Sequence, residues 1–431
     1  MLIKKYIKET LKYLLRSYPF IKKYIKEIDG MYEMTEEELF RRNEQRFLEI
    51  FHTAYNKSKF YRKFYSDAGV KEEDIKGLHD ISKLPFLTKD IVKANTNDIL
   101  TKPKWKLIKA VTSGTTGTPL TVYENWESIW REQAYFYSYR KRCGFNYGEP
   151  LASMRGNLGR RDTTLYIHAS NILYLSSFNV CSDTVEIYYS KLLKHGPKAI
   201  EGYPSTLYNL ALLFKARGYN LKIPLCFTSS ETMFDFQKAT IEKVFNTTIF
   251  DHYGTTERTI RISEYFDHKG YFEDPGYSVN EYMPEGSLST SLINDAFPLI
   301  RYYTGDLIEM KEKKRWPDFI KIIKGRYTES VVGKDGTVYS GVMLTFVFKD
   351  VVGVLCAQFV QDAIGHCYIN IVRDNTYNEN STRRIMELLD EKVGLGNIDF
   401  ELRFVREDEI IYTKRNKFKF IVSEIGHDIK N

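Results

Sequence analysis

Apolar residues recur at helical spacing through the first hundred residues, and after Pro103 the spacing becomes that of strands. The chain is therefore predicted to begin helical and to become sheet-based. Leu2, Ile3, Tyr6, Ile7, Leu11, Leu14, Leu15 and Tyr18 mark a first helix. Thr35 followed by Glu38 forms a capping box, and Phe40, Phe47, Phe51, Ala54 and Tyr55 then fall on one helical face. Leu107 to Val111 and Leu120 to Tyr123 read as a hairpin closed by Thr112-Ser-Gly-Thr-Thr-Gly-Thr-Pro119. Trp126, Ile129, Trp130 and Tyr137 mark a further helix whose aromatic stripe is expected to belong to the core.

From about 184 to 254, short apolar strands alternate with amphipathic helices, the βαβ rhythm of a parallel sheet. A strand over Lys198–Glu201 ends in Gly202-Tyr203-Pro204, and the following helix is expected to be capped by Ser205 and to stop at Gly218. The strand Leu225–Thr228 ends in Ser229-Ser230-Glu231, and the strand Thr248–His252 in Tyr253-Gly254-Thr255-Thr256-Glu257. Three polar turns at successive strand ends predict a small-molecule site at that edge. Residues 287 to 310 alternate like antiparallel strands around Arg301-Tyr-Tyr-Thr-Gly-Asp306. After Lys324-Gly-Arg326 come strands at 353–360 and 367–373, a helix at 381–393 and a strand at 399–405. A domain boundary is expected near Arg326.

Composition narrows the class. The 431 residues are 43% hydrophobic and 28% charged, with apolar stretches broken well before the ~18 residues of a membrane span, so a folded soluble protein is expected. Five cysteines, odd in number and never spaced as C-x-x-C, point to reduced thiols in a cytoplasmic protein. The 32 Tyr and 27 Phe show no interleave with Arg, so nucleic acid is not an expected partner. The net charge of +7 is concentrated: residues 1 to 27 hold eight basic against two acidic residues, a net of +6. That stretch suits either peripheral contact with an anionic membrane face or packing as a basic helix on its own domain.

Ser113-Gly-Thr-Thr-Gly117 offers hydroxyls and two glycines whose N–H groups can approach a triphosphate closely, although no Walker Lys-Ser/Thr pair follows. Glu257 is suited to a magnesium ion and Asp306 to ribose hydroxyls. Arg155-Gly-Asn-Leu-Gly-Arg-Arg161 reads as a solvated basic loop or a site for an anionic acceptor. There is no G-x-S-x-G elbow and no H-E-x-x-H, which removes hydrolase and metalloprotease readings. His252 is expected to be structural.

Thr112-Ser-Gly-Thr-Thr-Gly-Thr-Pro119, Tyr253-Gly-Thr-Thr-Glu257, Tyr303-Thr-Gly-Asp306 and Gly325-Arg326 occur in the order and spacing of the adenylate-forming, acyl-CoA synthetase-like superfamily, which the chain resembles from about residue 35 to 425. Leu84-Pro-Phe-Leu-Thr-Lys89, Glu201-Gly-Tyr-Pro-Ser205 and the ending Lys417-Phe-Lys-Phe-Ile-Val-Ser-Glu-Ile425 resemble its phenylacetate-CoA ligase branch, and more closely the CapK-like proteins linked to capsular polysaccharide synthesis. The resemblance implies an α/β fold: a large N-terminal domain with mixed and parallel sheets flanked by helices, plus a small mobile α+β C-terminal domain. The division expected is a basic amphipathic segment at 1–34, an AMP-binding domain at 35–325 and a small domain at 326–431.

The same resemblance implies an ATP-dependent ligase that activates a small carboxylic acid as an acyl adenylate. The acyl group would pass to coenzyme A or to a sugar-linked amine or hydroxyl; an aryl-acid CoA ligase is the nearest alternative. Thr112, Ser113, Gly114, Thr115, Thr116 and Gly117 would hold the phosphates. Tyr253 would stack on adenine, bordered by Ser230 and Glu231, with Gly254 and Thr255 also binding the nucleotide. Thr256 would touch the α-phosphate, Glu257 would bind Mg2+, Asp306 the ribose and Arg326 the nucleotide near the hinge. Lys417 would swing in to neutralise charge during adenylation. The family's hinge Asp is replaced by Thr328 followed by Glu329, and the usual Gly before the lysine by Asn416, with Lys414 and Lys419 nearby. The cysteines that bind zinc in some relatives are missing from 258–302, so no zinc is expected. A homodimer is left open. A non-catalytic nucleotide-binding scaffold is the reading of another class, against which Glu257, Asp306, Arg326 and Lys417 all speak.

Overall fold

The computed structural model describes residues 2–111, 120–158, 161–233, 235–264, 266–268, 270–284, 286–310, 320–326, 330–341, 344, 346–348, 351–413, 418–423 and 425, with residues 321–326 and a few others as backbone only. Five helices come first: α1 (Leu2–Leu15), α2 (Tyr18–Met31), α3 (Glu36–Lys57), α4 (Lys59–Asp67) and α5 (Lys89–Ala94). The capping box of α3 is present: the Glu38 N–H donates to Thr35 Oγ1 at 3.3 Å and the Thr35 N–H to Glu38 Oε2 at 2.8 Å. Three glutamates in the first turn face the positive end of the helix dipole. Phe47, Ile50, Phe51 and Ala54 are fully buried, each large side chain contributing roughly 1.5–3 kcal/mol. Phe40, expected on the same face, is exposed instead. Leu39 takes the inward position in a cluster with Met31 and Tyr277.

The hairpin is formed by β1 (Ile108–Val111) and β2 (Thr121–Glu124), antiparallel with Ile108 opposite Glu124 and Val111 opposite Thr121. Then come α6 (Trp126–Arg142), β3 (Leu151–Met154), β4 (Thr164–Ile167), β5 (Ile172–Leu175), α7 (Val185–His195), β6 (Ala199–Gly202), α8 (Pro204–Arg217), β7 (Leu225–Ser229), α9 (Asp235–Phe245) and β8 (Thr248–Gly254). Gly218 ends α8 at φ +67, a left-handed conformation that favours glycine. The strands β9 (Arg261–Glu264), β10 (Tyr271–Glu273), β11 (Ser278–Met283), β12 (Gly286–Ser291), β13 (Tyr302–Tyr303), β14 (Asp306–Met310) and β15 (Ile320–Arg326) follow. One ten-stranded sheet has the order β14-β15-β10-β9-β8-β7-β6-β3-β5-β4, parallel across its middle from β8 to β5 and antiparallel toward both edges. The parallel strands are buried on both faces. Ile200, Cys226 and Ile249 pack in the cluster of α7, α8 and α9, and Ala199, Phe227 and Phe250 in that of Tyr139 on α6.

After β15 the chain makes the hairpin β16 (Ser330–Val332) and β17 (Val338–Ser340), then β18 (Val354–Ala363), β19 (His366–Arg373), α10 (Glu379–Val393), β20 (Asp399–Phe404) and β21 (Ile421–Ser423). Four of these strands form a separate sheet, β20-β19-β18-β21, with Phe359, Ile369, Ile371, Ile385 and Leu389 in its own core. Among the described residues no helix is long and apolar enough to cross a membrane.

Candidate active site

The polar turns after β6, β7 and β8 lie side by side because those strands are parallel and in register: Gly202 sits beside Thr228, and Ser229 beside His252. The direction of strand addition reverses at β3, with β5 and β4 on one side and β6, β7 and β8 on the other. Carboxyl ends at such a reversal border the crevice in which open α/β sheets bind ligands.

Arg155, just past β3, ties these ends together. Its Nη2 donates to Ser229 Oγ at 2.6 Å and its Nη1 lies 3.7 Å from Glu201 Oε2. Glu201 also pairs with Arg140 and accepts from Ser153 Oγ at 2.7 Å. Burial pushes the Glu201 carboxyl up, but Arg140 and Arg155 outweigh it and hold the group below its usual range. A charged Arg–Glu–Arg cluster therefore fixes the ends of β3 and β6. Gly159 and Arg160 of the basic loop lie outside the described residues.

Ser230 adopts φ +74, a left-handed conformation that costs an L-residue roughly 1–2 kcal/mol. The turn carries Glu231 to α8 and to the segment that precedes β21. Glu231 Oε2 accepts from the Ser205 N–H at 3.0 Å, and Oε1 accepts from the Phe418 N–H at 2.8 Å. The expectation that Ser205 caps α8 is thus corrected: Tyr203 is the N-cap residue and Pro204 fills the first helical position. Because Pro204 starts the helix earlier, Ser205 lies inside its first turn, and the acceptor for its amide comes from the end of the next strand.

The Tyr253 hydroxyl donates to Asp306 Oδ2, joining the end of β8 to the start of β14. Asp306 is buried; its N–H donates to Thr304 Oγ1 at 3.2 Å and its carbonyl accepts from Ser287 Oγ at 2.8 Å. Between 255 and 258 the chain makes a tight turn, closed by the Arg258 N–H to Thr255 carbonyl bond at 3.1 Å. Gly254 and Thr256 are exposed on it, while Glu257 is buried and accepts from the Tyr302 hydroxyl at 3.4 Å. Arg258, at φ +59, pairs with Glu124 at the end of β2 and lies 2.9 Å from Glu132 Oε1. Burial opposes its charge, but Glu132 and Glu124 outweigh burial and raise its pKa. The hairpin arm that leaves the Gly/Thr loop is thereby anchored next to Thr256 and Glu257.

Of the residues singled out in the sequence, Ser230, Glu231, Tyr253, Gly254, Thr255, Thr256, Glu257 and Asp306 come from three strand ends, with direct contacts from Tyr253 to Asp306 and from Glu257 to Tyr302. Arg326 is the last residue of β15, its Cα opposite that of Asp306. Thr112, Ser113, Gly114, Thr115, Thr116 and Gly117, together with Thr328, Glu329, Asn416 and Lys417, lie outside the described residues. The base of the 411–419 loop is described: buried Gln358 donates from Nε2 to the carbonyls of Ile411 at 2.9 Å and Lys419 at 2.7 Å, and accepts from the Ile411 N–H at 3.1 Å. Gln358 uses both amide hydrogens and its oxygen to pin the two arms.

His252 is buried, edge-on to Phe136 at 5.1 Å; burial, reinforced by Arg261, Arg155 and Arg140, pushes its pKa well down, so it is neutral and structural. Among the described residues no three His, Cys, Asp or Glu side chains gather as metal ligands. One carboxylate, Glu257, is a donor set that fits a magnesium ion held mainly by phosphate oxygens and water. Sequence reasoning missed Arg140, Glu124 and Arg258. A charge inside the buried run Ala199-Ile-Glu-Gly202 was the available signal, since such a charge needs a partner.

Residues 331–424 match the family model described as the CapK C-terminal domain. Over 435 aligned residues the chain is 27% identical to Protein CapK of Staphylococcus aureus, covering 94% of this chain and 93% of that one. It is 25% identical to the phenylacetate-coenzyme A ligase of Pseudomonas putida, over 60% of this chain and 63% of the relative. Among solved structures, 2-hydroxyisobutyryl-CoA ligase in the postadenylation state, in complex with 2-HIB-AMP, superposes with a TM-score of 0.72 at 15% identity, covering 91% and 90% of the two chains.

Proposed function

We propose that this chain, which has the fold of the adenylate-forming acid–CoA ligases, is itself an ATP-dependent ligase of that kind, serving the assembly of a capsular or other surface polysaccharide. The carboxylate of a small acid attacks the α-phosphorus of ATP and expels pyrophosphate. The thiol of coenzyme A, or a sugar-linked amine or hydroxyl, then attacks the acyl carbon and releases AMP. The likeness to Protein CapK over nearly the whole chain supports the polysaccharide role, and the likeness to phenylacetate-coenzyme A ligase supports the reaction type.

In this reading Tyr253 presents its ring to adenine while its hydroxyl holds Asp306, whose carboxylate takes the ribose hydroxyls. Ser230 and Glu231 border the base, with Gly254 and Thr255 beside it. Thr256, on the exposed tip of its turn, meets the α-phosphate, and the segment 112–117 meets the outer phosphates. Glu257 would hold Mg2+, which when bound offsets phosphate charge. Arg326 stands at the boundary between a domain of residues 35–325 and a smaller one of 326–431. Lys417 supplies a cation where charge gathers around phosphorus.

The observation that carries this reading is the bond from the Phe418 N–H to Glu231: it brings the neighbour of Lys417 to the edge formed by the ends of β6, β7 and β8. Calorimetric titration with Mg-ATP tests it without knowledge of the acid. Saturable binding is expected, weakened at least tenfold in Asp306→Ala, and it justifies screening acids by pyrophosphate exchange. Absence of binding would overturn the ligase, and binding without pyrophosphate exchange for any acid would favour the non-catalytic nucleotide-binding scaffold.

A further inference from the structure

The helix α1 packs with its polarity reversed. Toward the protein it turns Lys5, whose Nζ is 3.8 Å from Asp162 Oδ2, Tyr6, whose hydroxyl is 3.5 Å from His168 Nδ1, and Tyr13, whose ring stacks 6.2 Å from that of Tyr147. Outward it turns Ile3 (76% exposed), Ile7 (52%), Leu11 (54%), Leu14 (49%) and Leu15 (46%). At about 100° per residue these five cover one side of the helix, and Lys4, Lys8 and Lys12 run at four-residue spacing along its edge. Hydrophobic burial alone would drive the opposite arrangement. Of the twenty exposed large apolar side chains among the described residues, seven lie between Ile3 and Phe20, and the other thirteen are spread over the rest of the chain.

The face continues onto α2, where Tyr18 and Phe20 are exposed and Phe20 stacks on Trp130 at 5.3 Å. A groove of about 550 Å³ there is lined by Pro19, Phe20, Lys22, Lys23, Lys26 and Trp130. The Trp130 Nε1–H donates to the Leu15 carbonyl at 2.9 Å, which fixes α1 against α6. Of the two carboxylates of the region, Glu9 lies on the inward side and reaches only Lys12, whose Nζ is 3.4 Å from its Oε2, and Glu27 is held by Arg131 at 3.0 Å and by Arg42.

We propose that residues 3–26 form an interfacial anchor that lays α1 flat on an anionic lipid bilayer. Ile3, Ile7, Leu11, Leu14 and Leu15 enter the acyl boundary, and Lys4, Lys8, Lys12, Lys22, Lys23 and Lys26 meet headgroup phosphates. Charge selects lipid over a second copy of the chain: two such faces joined about a twofold axis would each bring a lysine-rich surface to the other, and Glu9, already paired with Lys12, offsets only one of the six lysines.

Sedimentation of the full chain with vesicles of phosphatidylcholine, alone or with about one third phosphatidylglycerol, tests this. The wild type is expected to pellet with the anionic vesicles only, and less at high salt. Lys4→Gln/Lys8→Gln/Lys12→Gln should lower partitioning by about fivefold per lysine. Ile7→Glu/Leu11→Glu should lower it at least tenfold, with an unchanged melting temperature because both positions are exposed. No pelleting by the wild type, or equal pelleting by the Ile7→Glu/Leu11→Glu variant, overturns the proposal. So does a dimer in light scattering that the same variant converts to monomer, which would make this face a contact between copies.

Discussion

Two polar clusters meet at the turn between β8 and β9, built from the same kinds of residue and put to different use. On one side, Tyr253, Thr256, Glu257 and Asp306 line a sheet edge where Gly254 and Thr256 are exposed. On the other, Arg258 and Arg261 run inward to Glu124, Glu132 and Asp274, and Arg261 is only 2% exposed. There the Tyr277 hydroxyl donates to Glu132 at 2.6 Å and the Tyr32 hydroxyl and Ser263 Oγ donate to Asp274 at 2.8 and 2.7 Å. Arg261 Nε lies 3.0 Å from Asp274 Oδ2 as an ion pair, without the alignment of a hydrogen bond. Burial pushes both carboxyls up. At Glu132 the two arginines win and hold the group down, whereas at Asp274 burial wins over Arg261. Residue type therefore does not separate scaffold from site. Burial does not separate them either, since Glu257 and Asp306 are buried as well. Position does, because Arg258, Arg261, Glu132 and Asp274 pair with one another in the interior, whereas Glu257 and Asp306 stand at a strand-end edge beside the exposed Gly254 and Thr256.

The contrast predicts different kinds of loss. Arg261→Ala leaves Asp274 and Glu132 buried without their cation and should cost about 3–5 kcal/mol, read as a large drop in thermal midpoint. A drop no greater than that of Asp306→Ala would erase the distinction between the clusters. Glu231→Ala removes the acceptor for the Phe418 amide and should cost about 1–2 kcal/mol locally. Hydrogen exchange in peptide 411–420 should then rise about tenfold while the midpoint barely moves, because water can replace Glu231 at the first turn of α8. Unchanged exchange would mean that Glu231 does not hold the C-terminal loop.

A pH-dependent effect concerns Asp251 on β8, which accepts from Thr228 Oγ1 at 2.7 Å and from the Tyr271 hydroxyl at 3.2 Å. Burial, with Glu264 adding to it, raises its pKa to about 7. Between about pH 4 and 7 the folded chain then holds a proton that the unfolded chain has released, so this group's contribution to stability falls as pH rises and levels off above 7. Asp251→Asn should be nearly neutral below pH 4 and stabilising above pH 7. Urea melts across that range that differ by a constant amount would assign the pH dependence to another group.

Much of the fold was legible because its signals are local. The capping box at Thr35, the alternation from Ala199 to Gly254 and the strands and helix after 353 each depend on neighbours a few residues apart. Phe40 shows the limit: helical spacing places it near the buried stripe, but packing of the first turn against α2 turns Leu39 inward instead. Ser205 shows another, since a serine before an apolar run reads as a cap while the acceptor comes from Glu231 on the next strand end.

By itself the sequence determined the helical or strand character of many segments, which polar turns close β6, β7 and β8, and which side of α1 is apolar. Spacing and turn chemistry act through bonded neighbours, so they survive without a fold. Only the tertiary structure decided that Arg258 meets Glu124, 134 residues away, that Glu231 meets Phe418, 187 residues away, and that the apolar side of α1 faces out. Those outcomes depend on which strand lies beside which and on which partners each charge finds there. Pairing at such separations is set by chain topology, which no local pattern encodes.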